Sequence, residues 1–196
     1  RDTLAEASVA LGEDVAKLIR EGPKDVLDLT TNTQPVMLTA GIACYRAWLA
    51  EGGAEPAAVA GHSLGEYTAL VAAGALTLAD ALPLVRFRAQ AMQDAVAVGA
   101  GAMAAILGLD AQAVREGCAQ ASAASGEVVE AVNFNGPKQT VIAGSRAGVE
   151  KGCELLKARG AKRALQLPVS APFHSSLMRP AAERLREKLA TVAVAV

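Results

Sequence analysis

Gly61-His62-Ser63-Leu64-Gly65 sets a serine between two glycines in the G-x-S-x-G spacing of a nucleophile elbow. The spacing has a steric and an electrostatic reason. A tight turn from strand to helix lifts the hydroxyl off the backbone, and small neighbours avoid clashes. The helix that follows offers amides and its positive end to a developing oxyanion. The Leu64 amide is the expected donor to that oxyanion. A serine hydroxyl also needs a base to become a nucleophile. The chain has two histidines, His62 and His174. His62 adjoins the serine, so its ring should point elsewhere, and a structural or supporting role is expected of it. His174 lies in the polar loop Ser170-Ala171-Pro172-Phe173-His174-Ser175-Ser176 and is the expected general base. No Asp or Glu stands in sequence where it would orient that ring, so a backbone carbonyl is the expected partner.

The elements that must hold these groups follow from patterning. Residues 57–61 are short and apolar, as for a strand feeding the elbow, and 67–73 follow as a helix stopped by Gly74. Thr77 caps a helix running to about residue 96, with Asp80 at the capping-box position and Pro83 bending its early turns. Upstream, residues 2–21 form an amphipathic helix broken at Gly12, and 25–29 a helical turn. Thr33-Gln34-Pro35 then opens a helix, with Pro35 at its first helical position. Residues 36–49 are apolar nearly all round, which predicts a buried helix ended by Gly52-Gly53.

After Gly99-Ala100-Gly101 the rhythm changes. Strand 103–109, helix 111–124, strands 128–134 and 139–143 around a Gly136-Pro137 turn, helix 145–159 capped by Ser145, and strand 162–167 follow. That β-α-β-β-α-β order is the split βαβ pattern of a ferredoxin-like unit. A loop, a helix after Pro180 and a β-prone run at 191–196 close the chain. The expected class is α/β. A parallel-sheet, α/β hydrolase-like core of residues 1–100 and 169–196, incomplete, carries a ferredoxin-like subdomain at 101–168.

Composition narrows the function classes. Hydrophobic residues make up 52% and aromatics 3%, so Ala, Val and Leu must fill a globular core. A net charge of -1 without a basic tract argues against nucleic acid. No uninterrupted apolar run reaches the roughly 20 residues of a membrane span. Cys44, Cys118 and Cys153 show neither CxxC nor zinc spacing, which predicts buried or incidental thiols, no metal and a reducing cytoplasm. The chain opens on Arg1 rather than Met and stops in the β-prone run, so both ends are expected to be cut.

Gly61-His62-Ser63-Leu64-Gly65-Glu66 is more specific than the elbow alone. It is joined, in order along the chain, by other motifs: Thr33-Gln34-Pro35 before it, and after it Arg86-Phe87-Arg88-Ala89-Gln90-Ala91-Met92-Gln93, Gly101-Ala102-Met103-Ala104-Ala105-Ile106, Val132-Asn133-Phe134-Asn135 and Val169-Ser170-Ala171-Pro172-Phe173-His174. Together they resemble the malonyl-CoA:acyl-carrier-protein transacylases of bacterial fatty-acid synthesis and the acyltransferase domains of polyketide synthases. The resemblance implies Ser63 as the acylated nucleophile and His174 as its general base and acid. Arg88 would pair its planar fork with the free carboxylate of a malonyl group. Leu64, His62, Phe173 and Asn133 would surround the substrate, Phe173 leaving little room for a methyl branch and Asn133 with Asn135 shaping the cleft wall. Arg86 is expected to be a solvated helix charge. The resemblance further implies malonyl-CoA as substrate, acyl carrier protein as partner and no bound cofactor, in a cytoplasmic monomer that binds neither membrane nor nucleic acid. The family's N-terminal Gly-Gln-Gly-Ser-Gln loop and later C-terminal strands are absent. The residues also permit a serine esterase or thioesterase, which would not need Arg88, or a silent module that only binds carrier protein or CoA.

Overall fold

The computed structural model describes residues 2–169 and 171–195; Arg1, Val196 and Ser170 of the histidine loop lie outside it. It is mixed α/β and divides into two units, Arg1–Gln90 with Leu185–Val196, and Ala91–Arg184.

In the first unit, Gly12 at φ 67° separates α1 (Asp2–Leu11) from α2 (Val15–Glu21), and the Asp14 carboxylate caps α2 by accepting the Lys17 N–H at 2.8 Å. A short α3 (Lys24–Leu27) leads into α4 (Thr30–Ala50). The latter begins earlier than its Thr-Gln-Pro signal predicts, and Pro35 lies inside it. Two polar residues of its first turn serve the preceding helix. Asn32 Nδ2 donates to the Val26 carbonyl at 2.9 Å, and Thr33 Oγ1 to that of Leu27 at 2.5 Å. Those carbonyls lie in the last turn of α3, where helical partners run out, and the Leu29 N–H also reaches the Val26 carbonyl at 3.3 Å.

Burial of α4 is also less complete than expected. Gln34, Pro35, Leu38, Thr39 and Ile42 form one buried stripe, while Met37, Trp48 and Leu49 are exposed. Next come α5 (Gly65–Ala72) and α6 (Leu78–Asp94), the latter capped by Thr77, whose Oγ1 accepts the Asp80 N–H at 3.1 Å. Leu78, Ala81, Leu82, Leu84 and Val85 of α6 pack with Ala7, Val15, Leu38, Ile42, Tyr67 and Leu76 in one core.

The strand expected at 57–61 does not form. The segment is irregular and 57–60 are exposed, because no described residue offers it a ladder of backbone partners. The β-prone run at the end of the chain likewise makes no strand over its described residues 191–195, although the Ala195 N–H reaches the Ala75 carbonyl at 3.0 Å.

The second unit holds β1 (Gly101–Leu107), α7 (Ala111–Ser125), β2 (Val129–Gly136), β3 (Gln139–Ser145), α8 (Arg146–Ala158) and β4 (Arg163–Gln166). A 3₁₀ turn at Ser176–Met178 precedes α9 (Arg179–Leu189). The sheet order is β2-β3-β1-β4 with every neighbour antiparallel. β1 is central and buried on both faces. Its alternation sends Ala102, Ala104 and Ile106 into a cluster with Val114, Cys118, Val149 and Leu156 of α7 and α8. Met103 and Ala105 meet Val141, Ala143, Leu167 and Phe173 on the other face.

Candidate active site

The elbow is built from its helix side. Hydrogen bonds from the N–H groups of Gly65 to the His62 carbonyl (2.8 Å), Glu66 to that of Ser63 (3.2 Å) and Tyr67 to that of Leu64 (3.0 Å) wind the turn into α5. Ser63 sits at φ 54°, the left-handed region that costs a residue with a Cβ about 1–2 kcal/mol. The conformation persists because the surrounding turn fixes it. Gly61 is required there: a Cβ at that position would lie 1.9 Å from the Gly65 carbonyl carbon and oxygen. Gly65 differs, since a Cβ on it would meet nothing within 4 Å. The exposed His62 lines a groove with Met37, Tyr45, Val59 and Thr68.

Arg88 is 8% exposed, although as an arginine it would ordinarily stay in water. The reason is periodicity: it continues the stripe Ala81, Leu84, Val85 by one turn of α6, so the helix that buries those residues buries Arg88 too. Both terminal nitrogens of its fork are engaged. Nη2 donates to Ser63 Oγ at 3.0 Å, and Nη1 to Gln34 Oε1 at 2.5 Å. The guanidinium carbon lies 5.6 Å from the centre of the Tyr67 ring, within cation–π range. Burial pulls the Arg88 pKa down and the neighbouring Tyr67 phenol partly restores it. Burial pushes the Tyr67 pKa up, opposed by Arg88. Among the described residues no carboxylate pairs with Arg88.

Arg86 departs from its expected solvated state. It forms an ion pair with Glu13 and donates to Asn32 Oδ1 at 3.2 Å, tying α6 to the α1–α2 turn and α4.

His174 is exposed and at φ 67°, a second non-glycine residue in the left-handed region. Its loop is held on both sides. Ser175 Oγ donates to the Pro172 carbonyl at 2.7 Å, and the Ser176 N–H donates to Glu130 Oε2 at 2.6 Å. Pro172 packs on Gly101, where a Cβ would meet the ring at 2.3 Å. An acid therefore does brace this loop, but by a backbone amide and from β2, 46 residues upstream. Phe173 packs partly buried beside Val132 and Leu167, and Asn133 stands on β2 opposite Val141.

Ser63, Leu64 and Arg88 thus share one unit with Gln34 and Tyr67, whose part in the site sequence reasoning missed. Gln34 was visible only as part of a helix start, and Tyr67 only as a helix residue. Both signals existed as spacing, since Tyr67 follows Ser63 by one helical turn and Gln34 shares the buried stripe of Leu38. His174, Phe173 and Asn133 belong to the other unit. Among the described residues no cluster of three His, Cys, Asp or Glu could hold a metal, and no helix is long and apolar enough to cross a membrane.

Comparison with known proteins gives consistent relatives. Residues 2–195 match the family described as acyl transferase domain. The chain is 53% identical over 191 residues to the malonyl CoA-acyl carrier protein transacylase of Escherichia coli strain K12, covering 97% of this chain and 61% of that protein. It therefore spans about three fifths of the relative's length. A crystal structure of an acyl-carrier-protein S-malonyltransferase from Burkholderia pseudomallei 1710b superposes with a TM-score of 0.95 at 71% identity, over 99% of this chain and 62% of that one. A malonyl-transacylase solved in complex with its type II PKS acyl-carrier protein superposes with a TM-score of 0.96 at 45% identity, over 99% and 62%.

Proposed function

The chain belongs to the acyl transferase domain family, and on that premise we propose that it carries the catalytic residues of a malonyl-CoA:acyl-carrier-protein transacylase of fatty-acid synthesis. The observation that carries the reading is the Arg88 guanidinium, buried with no carboxylate among the described residues beside it and 3.0 Å from the Ser63 hydroxyl. A buried cation beside a nucleophile favours an acyl group bearing its own negative charge a short distance from the reacting carbonyl. A malonyl group has that form.

The cycle is ping-pong. His174 takes the proton of Ser63 as Oγ attacks the thioester carbonyl of malonyl-CoA. The Leu64 amide, at the head of α5, donates to the oxyanion. The intermediate collapses, the CoA thiolate leaves with the proton returned by His174, and a malonyl ester stays on Ser63. The thiol of the carrier protein's phosphopantetheine then attacks that ester, and the serine hydroxyl is restored. Arg88 holds the carboxylate through both halves. Phe173 and Asn133 shape the acyl site and His62 supports the elbow. The transfer conserves bond types and calls for no cofactor. Malonyl-CoA and carrier protein are its substrates, in a cytoplasmic monomer.

The unit architecture is read the same way. Residues 101–168 form a ferredoxin-like subdomain, supported by the β-α-β-β-α-β order and the sheet order 2-3-1-4. Residues 1–100 and 169–196 form part of an α/β hydrolase-like core, supported by the apolar, exposed segment ahead of the elbow.

Intact-protein mass after brief incubation with malonyl-CoA tests the proposal. It is made on the chain and on a chimera in which the chain replaces the matched 191 residues of the Escherichia coli transacylase. One malonyl group should appear on Ser63, be absent in Ser63→Ala, and leave when carrier protein bearing its thiol is added. A chimera that binds carrier protein yet never gains the malonyl group would overturn it.

A further inference from the structure

Arg88 has only donors to offer, so the Gln34 atom at 2.5 Å from Nη1 is the amide oxygen. The amide nitrogen then faces the other way, where Thr30 Oγ1 accepts from it at 3.0 Å. Thr30 therefore fixes which end of the amide meets the guanidinium. Gln34 is 6% exposed and Thr30 9%, so water does not take over either contact. Among the described residues, the fork meets an amide oxygen, a phenol ring and a serine hydroxyl. Each orients the cation and none neutralises it. A glutamate at position 34 would have almost the same shape and would hold the guanidinium more strongly, through a charge-assisted pair. It would also cancel the charge.

We infer that Gln34 is a positioning residue whose neutrality keeps the Arg88 charge available, so that discrimination between carboxylated and uncarboxylated acyl groups is set from α4. The inference rests on the reading of Arg88 as the anchor of the substrate carboxylate. It assigns Thr30 a second role behind Gln34, as the group that prevents the amide from turning its nitrogen toward the cation.

The test compares acylation by malonyl-CoA and by acetyl-CoA. In Gln34→Glu the efficiency with malonyl-CoA should fall roughly 10- to 100-fold, mainly through KM. Acetyl-CoA efficiency should not fall with it, and the melting temperature should hold or rise. A purely structural role would move both substrates together. Thr30→Val should lower the malonyl-to-acetyl ratio by less, and Thr30→Ser should restore it. A folded Gln34→Glu protein with the wild-type ratio overturns the inference. Should that variant not fold, the Thr30 pair decides, and equal ratios in Thr30→Val and Thr30→Ser overturn it. If the wild type takes no malonyl group at all, it is the function that fails. The inference is then judged by titrating malonate against the Arg88 guanidinium resonance. A response in the wild type that Gln34→Glu loses supports it, and the same response in both overturns it.

Discussion

A guanidinium withdrawn from water, with no carboxylate beside it among the described residues, is held at a cost that its hydrogen bonds reduce and an incoming anion further offsets. For Arg88 that places the demand on the shape of the fork as well as its charge. Arg88→Lys keeps the charge but loses the simultaneous reach to Gln34 and Ser63. Its acylation by malonyl-CoA should fall about 10- to 100-fold, measured as the rate of ester formation, and Arg88→Ala should fall further. A second residue-scale expectation concerns the thiols. Cys44 is exposed, Cys153 half-buried and Cys118 buried, where burial pushes the Cys118 pKa from 9.0 up to about 12. The folded protein thus holds this proton after the unfolded chain has released it. The associated stability is intact below pH 9.0 and is lost as pH rises toward about 12. Chemical denaturation across that range should show the wild type losing ground to Cys118→Ala, and thiol labelling at neutral pH should reach Cys44 first. Ser63 and Arg88 were legible because motifs name them. Their partnership with Gln34 was not, because it depends on α4 and α6 packing side by side across 54 residues of sequence.

At the scale of elements, local chemistry predicted local structure well. The Thr77 and Ser145 caps sit where hydroxyls precede helical runs, and both accept the amide three residues on. Prediction failed where structure depends on a distant partner. Residues 57–61 have strand composition, but a strand exists only through its neighbours' hydrogen bonds. The Thr-Gln-Pro signal failed for a related reason: Thr33 reaches back to the Leu27 carbonyl of α3, while Gln34 faces Thr30 and Arg88. The elbow separates its two glycines experimentally. Gly61→Ala drives a methyl group into the Gly65 carbonyl and should destabilise the protein by about 3 kcal/mol while abolishing ester formation. Gly65→Ala should fold at the wild-type melting temperature, within about 0.5 kcal/mol.

At the scale of the molecule, several large apolar side chains of α4 and the segment ahead of the elbow are exposed. Met37 is 57% exposed and Trp48 59%, and Met37 with Val59 and Tyr45 lines the groove beside the elbow. Trp48 is the chain's single tryptophan, so its fluorescence reports on that side of α4 alone. For a monomer, its emission and iodide quenching should stay constant as the protein is concentrated, with an unchanged sedimentation coefficient; a blue shift with a parallel rise in sedimentation coefficient would report self-association through this face. The sequence revealed the class and the change of rhythm near residue 100. It did not reveal which helix faces would be left uncovered, since a helix that is apolar all round gives no sign of which side its neighbours occupy.

The unequal glycines of the elbow also bear on how such chains are found. The first records a steric veto: an alternative residue there is incompatible with the turn. The second, facing open space, records no such veto. A search pattern that gives both positions equal weight treats a tolerated difference as a disqualifying one. Scoring the first glycine strictly and the second leniently would recover relatives whose turn is intact and whose fifth residue has drifted to alanine or serine.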